Sequence, residues 1–330
     1  MQTLFDKILE ADAGLRPQVP VSSLEFSAKL SHALGCQVWN KTDHLQPTGS
    51  FKVRGSANKI RVLGDLARAR GVVTASTGNH GLGVARASKL AGVAATVYIG
   101  HGAMPAKVQA IRDLGAEIVE VDGSPLAAEL EARRQSELTG KPYVAPYNDY
   151  DTIAGQGTIG AELARQHKDL DAVFVCVGGG GLVAGIGVAM KQLSPKTRII
   201  GVSPENSRCM LESLKAGRII AFEEFPTLSD ASLGEVEPGS VTFPLCQQVI
   251  DHTIVVDERE IAGAMRMVAQ SDGWMVEGTA GVALAGLMQQ RESFRGQNVA
   301  IVLCGRNVTV DTFMGAMALA GPTELETAAP

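Results

Sequence analysis

The segment HLQPTGSFKVRGSAN (44–58) sets Lys52 directly after Gly-Ser-Phe, at the head of a stretch with helical apolar spacing. Partial burial there would disfavour the ammonium form and leave a nucleophilic amine near neutral pH. Taken alone, Lys52 reads as an ordinary helix-end lysine. A second segment, TASTGNHGLG (74–83), follows an apolar strand pattern and opens a helical one. Ser76, Thr77, Gly78, Asn79 and His80 offer hydroxyls and helix-start N–H groups, which suit a carboxylate. A capped strand-to-helix turn would use the same residue types.

A third segment, VCVGGGGLVAGIG (175–187), is again strand, glycine loop and helix. Gly178, Gly179, Gly180 and Gly181 let the backbone wrap closely on a phosphate, and four in a row are costly in chain entropy for a plain turn. The same run holds G-x-G-x-x-A (Gly179, Gly181, Ala184), with Glu205 beyond the next strand, which imitates a dinucleotide fingerprint. No Gly-Lys-Ser/Thr closes it, so a Walker A loop is excluded. In VLCGRNVT (302–309), Cys304 falls at the carboxyl end of a strand, where ligands gather in α/β sheets. A small buried hydrophobe is the bland alternative for it.

The elements that must position these residues alternate along the chain. Strands are expected at 37–41, 71–76, 94–100, 117–121, 172–178, 198–203, 252–257 and 298–305. Helices are expected at 79–91, 105–114, 124–139, 151–167, 181–193, 257–271 and 278–290. Asp257 and Glu260 have capping-box spacing. This alternation reads as α/β with mainly parallel sheets, and the almost wholly apolar strands suggest sheets covered on both faces. The acidic stretch 223–240 reads as a surface or active-site loop, and the tail GPTELETAAP as frayed.

The chain's 330 residues suit one to two domains, and 45% hydrophobic residues supply a large core. Net charge is -5 without a basic block, which argues against nucleic acid and anionic membrane as partners. The acid-bearing N-terminus lacks a secretory layout, and no apolar run reaches the ~18 residues of a membrane span. Five scattered cysteines without a CxxC pair fit reduced thiols in a cytoplasmic protein.

In their order, TGSFKVRGSAN, STGNHG, AGQGTIGAEL, GGGGLVAGIG, VEGTAGVALAG and CGRN resemble the β-family, fold type II, of pyridoxal-phosphate (PLP) enzymes, and most closely its threonine/serine dehydratase and serine racemase branch. The resemblance spans about residues 20–310. It implies a tryptophan synthase β-like fold of two open, mainly parallel sheets flanked by helices. Residues 1–70 and 149–330 would form the large PLP-binding domain and 71–148 the small one. A homodimer is the usual assembly of such enzymes.

By the same resemblance, Lys52 forms the Schiff base with the cofactor and Phe51 lies beside its ring. Asn79 hydrogen-bonds the phenolic oxygen. Gly178, Gly179, Gly180, Gly181 and the backbone of Leu182 hold the phosphate, and Cys304 stands near the pyridine nitrogen. Ser76, Thr77, Gly78, Asn79 and His80 cradle the substrate carboxylate. Asn148, Gly234 and Glu277 fall near the cofactor's edge. The implied reaction is β-elimination: Lys52 takes the Cα proton, the hydroxyl leaves, and a 2-oxo acid and ammonia follow from a 3-hydroxy-L-amino acid such as threonine or serine.

Three departures shape that expectation. Ser203 and Cys209 stand where metal-stimulated relatives carry carboxylates, so no metal is expected. Thr77 replaces the serine of the racemases, and it leans the site toward elimination. Arg306 stands where relatives often have Gly, either as a solvated turn residue or as a cation for an acidic substrate side chain. Phenylserine, 3-hydroxyaspartate, an ectoine-pathway intermediate and racemisation stay open as variants. So do a nucleotide-binding oxidoreductase and a PLP carrier without catalysis. The short C-terminal remainder points to a catabolic or specialised enzyme rather than a feedback-controlled one.

Overall fold

The apolar runs assemble into two separate sheets in a computed structural model that describes residues 1–16, 18–123 and 125–320. Strands β1 (Leu24–Phe26), β2 (Gln37–Lys41), β3 (Val72–Ala75), β4 (Ala95–Gly100), β5 (Glu117–Val121), β6 (Ala172–Cys176), β7 (Arg198–Pro204), β8 (His252–Val256) and β9 (Asn298–Val302) follow in chain order. One sheet has the order β1-β2-β9-β6-β7-β8, and the other the order β3-β4-β5. Only β1 pairs antiparallel; the other pairings are parallel.

Crossover helices cover both faces, which is why β6 (AVFVC) is buried at every position and needs no polar alternation. Helices Asn79–Ala91, Gly181–Leu193 and Gly278–Gln290 have the bounds their periodicity predicts. The capping box at Asp257 forms: Glu260 N donates to Asp257 Oδ1 at 2.8 Å, and Asp257 N to Glu260 Oε2 at 2.7 Å.

Several strands stop short of the apolar run. β6 ends at Cys176 rather than 178, and β9 ends at Val302 rather than 305. Residues beyond those ends leave the sheet to build the site. The short edge strand β1 and the helices Ala28–Leu34, Asp65–Arg70, Cys209–Ala216, Thr242–Val249 and Val310–Leu319 are additions to the sequence expectation. All are short, and short elements leave little periodicity to read. The tail expected to fray lies outside the described residues.

Candidate active site

Lys52 is the first residue of the helix Lys52–Arg61. The approach to it is pinned to the end of β9: Phe51 N donates to Cys304 O at 2.9 Å, and Ser50 bridges to Gly305. Two residues on, Arg54 is fully buried and binds Asp43 (2.7 and 2.9 Å) and Glu162 (2.7 and 2.9 Å). Lys41 Nζ adds a bond of 2.6 Å to Glu162. This ionic core ties the lysine's helix to Tyr150–Gln166 behind it.

The Lys52 amine donates to Pro146 O at 2.9 Å. Burial lowers its pKa to about 8, against the opposing pull of Cys304 and Glu277. An amine so placed still carries its proton for the most part at neutral pH, but it reaches the uncharged, nucleophilic form far more readily than a solvated lysine. The Phe51 ring centroid lies 5.3 Å from Nζ.

The glycine loop runs from β6 into the helix Gly181–Leu193. Gly180 takes φ 85°, a left-handed turn that glycine makes without strain. The first helical bond is Ala184 N to Gly180 O at 2.9 Å, so the N–H groups of Gly181, Leu182 and Val183 are the open ones of a helix start. Tyr147, which the sequence reading passed over, lies against this loop. A Cβ added at Gly179 would fall 2.6 Å from its ring, and one at Gly181 would fall 2.9 Å from its Cβ. The phenol oxygen accepts from Glu237 N at 3.0 Å. Asn148 is engaged by the same loop, donating to Glu237 Oε2 and accepting from Val241 N, both at 2.9 Å. Gly234 is exposed at φ 138°, and its N–H donates to Glu224 Oε1 at 3.1 Å.

The turn Ser76–Gly78 leads from β3 into the helix Asn79–Ala91. Ser76 Oγ accepts from Gly78 N at 3.2 Å, and Thr77 stands half-buried beside it. Leu82 N is bonded to Gly78 O at 3.2 Å, which leaves the amides of Asn79, His80 and Gly81 at the open helix start. The His80 ring is buried, with Nε2 at 2.8 Å from Val144 O, so this turn offers an anion its backbone rather than that imidazole.

Asn79 is also engaged. Its amide donates to Glu277 at 2.8 and 3.1 Å, and its Oδ1 accepts from Asn307 Nδ2 at 2.5 Å. Asn307 N donates to Glu277 Oε2 at 3.0 Å. Burial raises Glu277 to about 7, although Asn79 and Asn307 pull it down. Cys304 is buried, and burial with the nearby Glu277 and Cys176 holds its thiol protonated. Asn307 was part of the CGRN motif but was not singled out, and no spacing rule points to it.

Ser203 Oγ donates to Val177 O at 2.7 Å and Cys209 Sγ to Ile220 O at 3.3 Å, so both positions serve the backbone. Among the described residues, no cluster of three or more His, Cys, Asp or Glu side chains suits a metal ion. Arg306 is exposed, and its backbone N donates to Gly49 O at 2.9 Å.

Residues 15–305 match the family described as pyridoxal-phosphate dependent enzyme. The chain is 40% identical over 312 residues to a protein named L-threonine ammonia-lyase from Thermotoga maritima, covering 94% of this chain and 77% of that protein. Its structure is similar to the processed form of threonine deaminase isoform 2 from Solanum lycopersicum, with TM-score 0.93 and 33% identity over 98% of this chain and 94% of that one. It is also similar to maize serine racemase, with TM-score 0.89 and 32% identity over 95% and 96% of the two chains. With that family match, the oxidoreductase reading of Gly179, Gly181 and Ala184 is set aside.

The residues present fit the cofactor that the family name carries. A phosphorylated aldehyde needs a sheltered amine that gives up its proton readily, and Lys52 supplies one. It also needs N–H groups for its phosphate, and the start of the helix Gly181–Leu193 presents them with no anionic side chain in the glycine run. The chain belongs to the pyridoxal-phosphate dependent enzymes of fold type II, in the branch that holds the threonine and serine dehydratases and the serine racemases.

Proposed function

We propose that this enzyme removes water from a 3-hydroxy-L-amino acid, L-threonine or L-serine, and releases a 2-oxo acid and ammonia. The observation that carries the reading is the half-buried Lys52 amine, held at Pro146 O with its pKa lowered by desolvation. The likeness to proteins named L-threonine ammonia-lyase and threonine deaminase supports the substrate class.

Lys52 would hold the cofactor covalently, with Phe51 against its ring and the N–H groups of Gly178, Gly179, Gly180, Gly181 and Leu182 on its phosphate. Asn79 and Cys304 would stand at the ring's oxygen and nitrogen. When bound, pyridoxal phosphate supplies an aldehyde for the amino group and an electron-accepting ring for the charge left at Cα. Ser76, Thr77, Gly78, Asn79 and His80 would orient the substrate carboxylate through hydroxyls and backbone amides. Lys52, sheltered and with its pKa lowered by burial, collects the Cα proton. Cys304 offers a weak hydrogen bond and no negative charge, which favours prompt departure of the β-hydroxyl. Thr77, branched where a racemase carries serine, limits reprotonation from the opposite face.

The wider proposals follow the same reading. Residues 1–70 and 149–330 form the large domain, 71–148 the small one, and two chains form a homodimer in the cytoplasm. No helix among the described residues is long and apolar enough to cross a membrane, and all five cysteines are free.

The test is a panel of threo and erythro hydroxy-amino acids, phenylserine and 3-hydroxyaspartate included, assayed for 2-oxo acid and ammonia. Release from L-threonine or L-serine above the other members is expected. Turnover of neither, with D-serine formed from L-serine, would move the enzyme to the racemase reading.

A further inference from the structure

His80 and Lys52 are anchored on one strip of backbone. The ring Nε2 of His80 lies 2.8 Å from Val144 O, and the Lys52 amine donates to Pro146 O at 2.9 Å. Val144 and Pro146 are alternate residues of a segment that runs beside β3, where Val73 N donates to Pro142 O and Val144 N donates back to Val73 O. The two helices that carry these side chains meet at Gly83. A Cβ there would fall 3.2 Å from the Lys52 carbonyl and 2.9 Å from Ser56 Oγ.

These contacts fix the tautomer of His80. A carbonyl oxygen only accepts, so the proton sits on Nε2. Thr74 Oγ1 donates to the same oxygen at 2.8 Å and takes its second lone pair. A neutral imidazole protonated at Nε2 has a bare lone pair at Nδ1. That atom is buried and has no hydrogen-bond partner among the described residues. Burial and the nearby Lys52 charge hold the imidazole neutral, at a pKa of about 3. The other titratable groups acting on Lys52 are Cys304 and Glu277.

We propose that His80 Nδ1 is the acceptor that receives an N–H of the Lys52 ammonium once that side chain has collected the substrate proton. The proposal rests on the elimination reading for the origin of the proton. The Cα–H bond breaks, an Nζ–H bond forms, and the electron pair stays on the carbon side. His80 accepts a hydrogen bond and gains no proton. It is a positioning residue, acting through Lys52: a buried ammonium needs acceptors, and Pro146 O alone leaves two of its three N–H groups unserved.

Two substitutions divide the imidazole's functions. His80→Gln keeps an N–H near the Nε2 position for Val144 O and removes the acceptor. His80→Asn keeps an oxygen near the Nδ1 position and gives up the tie to Val144. In the holoenzyme, His80→Gln is expected to lower kcat by about ten- to a hundredfold, the loss of one hydrogen bond to a charge, with a larger primary isotope effect on Cα-deuterated L-threonine. His80→Asn, which restores an acceptor near Nδ1, is expected to lie between His80→Gln and the wild type in kcat and isotope effect. After cofactor removal, the pH midpoint for re-uptake of pyridoxal phosphate at Lys52 reads the ammonium's pKa. It moves down in His80→Gln, because an acceptor that stabilised the charged form is gone, and comes back up in His80→Asn. Nitrogen-15 spectra of the wild-type protein should show the His80 proton on Nε2.

A proton on Nδ1 would overturn the proposal whether or not the variants fold, and so would a His80→Gln enzyme with wild-type kcat, isotope effect and midpoint. If no 2-oxo acid forms from any substrate, the elimination reading fails. The tautomer and the midpoint then still decide the case for His80.

Discussion

Asn79 donates through its side-chain amide to both carboxylate oxygens of Glu277, at 2.8 and 3.1 Å. The two residues lie far apart in the chain, one at the helix start after β3 and the other at the head of the helix Gly278–Gln290. The bond therefore couples the turn that would hold the substrate carboxylate to the strand end that carries Cys304. Gly305 makes the approach possible, because a Cβ there would collide with the Glu277 carboxylate.

The raised pKa of Glu277 gives the fold a pH dependence of defined sign. Its usual value of 4.5 moves to about 7 in the folded chain, mainly through burial. Stability from this group is full below about pH 4.5. It is lost as pH rises toward 7, because the unfolded chain ionises first. Glu277→Gln should remove that slope, of about 1.4 kcal/mol per pH unit. Urea unfolding at several pH values compares the two proteins. Parallel curves across the window would show that the carboxylate is not buried as described.

Arg54 stands between Asp43 and Glu162 with no exposure to water. Arg54→Met would leave two buried carboxylates facing each other, at a cost of about 3–5 kcal/mol. Desolvation opposes ionisation of Glu162, but Arg54 and Lys41 outweigh it and hold its pKa near 2. Denaturant midpoints check the size of the loss. A loss under about 1 kcal/mol would mean that the cluster does not anchor the helix of Lys52.

Tyr147 is the side chain packed on the glycine loop, and Gly179→Ala would drive a methyl group into its ring. Gly179→Ala and Tyr147→Ala are each expected to weaken cofactor binding about tenfold or more, equal to ~1.4 kcal/mol. Tyr147→Phe loses the bond from Glu237 N and the longer one that the phenol donates to Glu235 O, and should cost about 1 kcal/mol of stability. Cofactor titration by visible absorbance reads the first pair, and thermal unfolding reads the third.

Thr77 is the residue on which racemisation turns. Thr77→Ala should keep kcat for 2-oxo acid release from L-serine close to wild type and raise KM, because one hydroxyl facing the carboxylate is gone. Any D-serine formation should fall by about a hundredfold, as for removal of a general acid. Chiral chromatography of the product mixture separates the two rates. Equal loss of both would make Thr77 a binding residue for the carboxylate alone.

The parts of this site that were legible in the sequence are those whose chemistry is local. Lys52 at a helix start, the turn at 76–80 and the tetraglycine loop each combine strand, turn and helix signals within about ten residues. Cys304 was legible as a strand end. The partners were not, because they are set by folding over long separations. Pro146 reaches Lys52, Asn307 and Glu277 reach Asn79, and Tyr147 reaches Gly179. His80 was placed in the carboxylate turn by its neighbours, yet its ring serves Val144. Only the contacts along β3 reveal that.

The central claim is that the Lys52 amine is the group to which the cofactor is covalently bound. Borohydride reduction of the purified enzyme followed by peptide mapping tests it directly. The account predicts a yellow protein, one reduced cofactor adduct located at Lys52, and loss of both adduct and 2-oxo acid release in Lys52→Ala. An adduct at another lysine, or a Lys52→Ala enzyme with full activity, would contradict it.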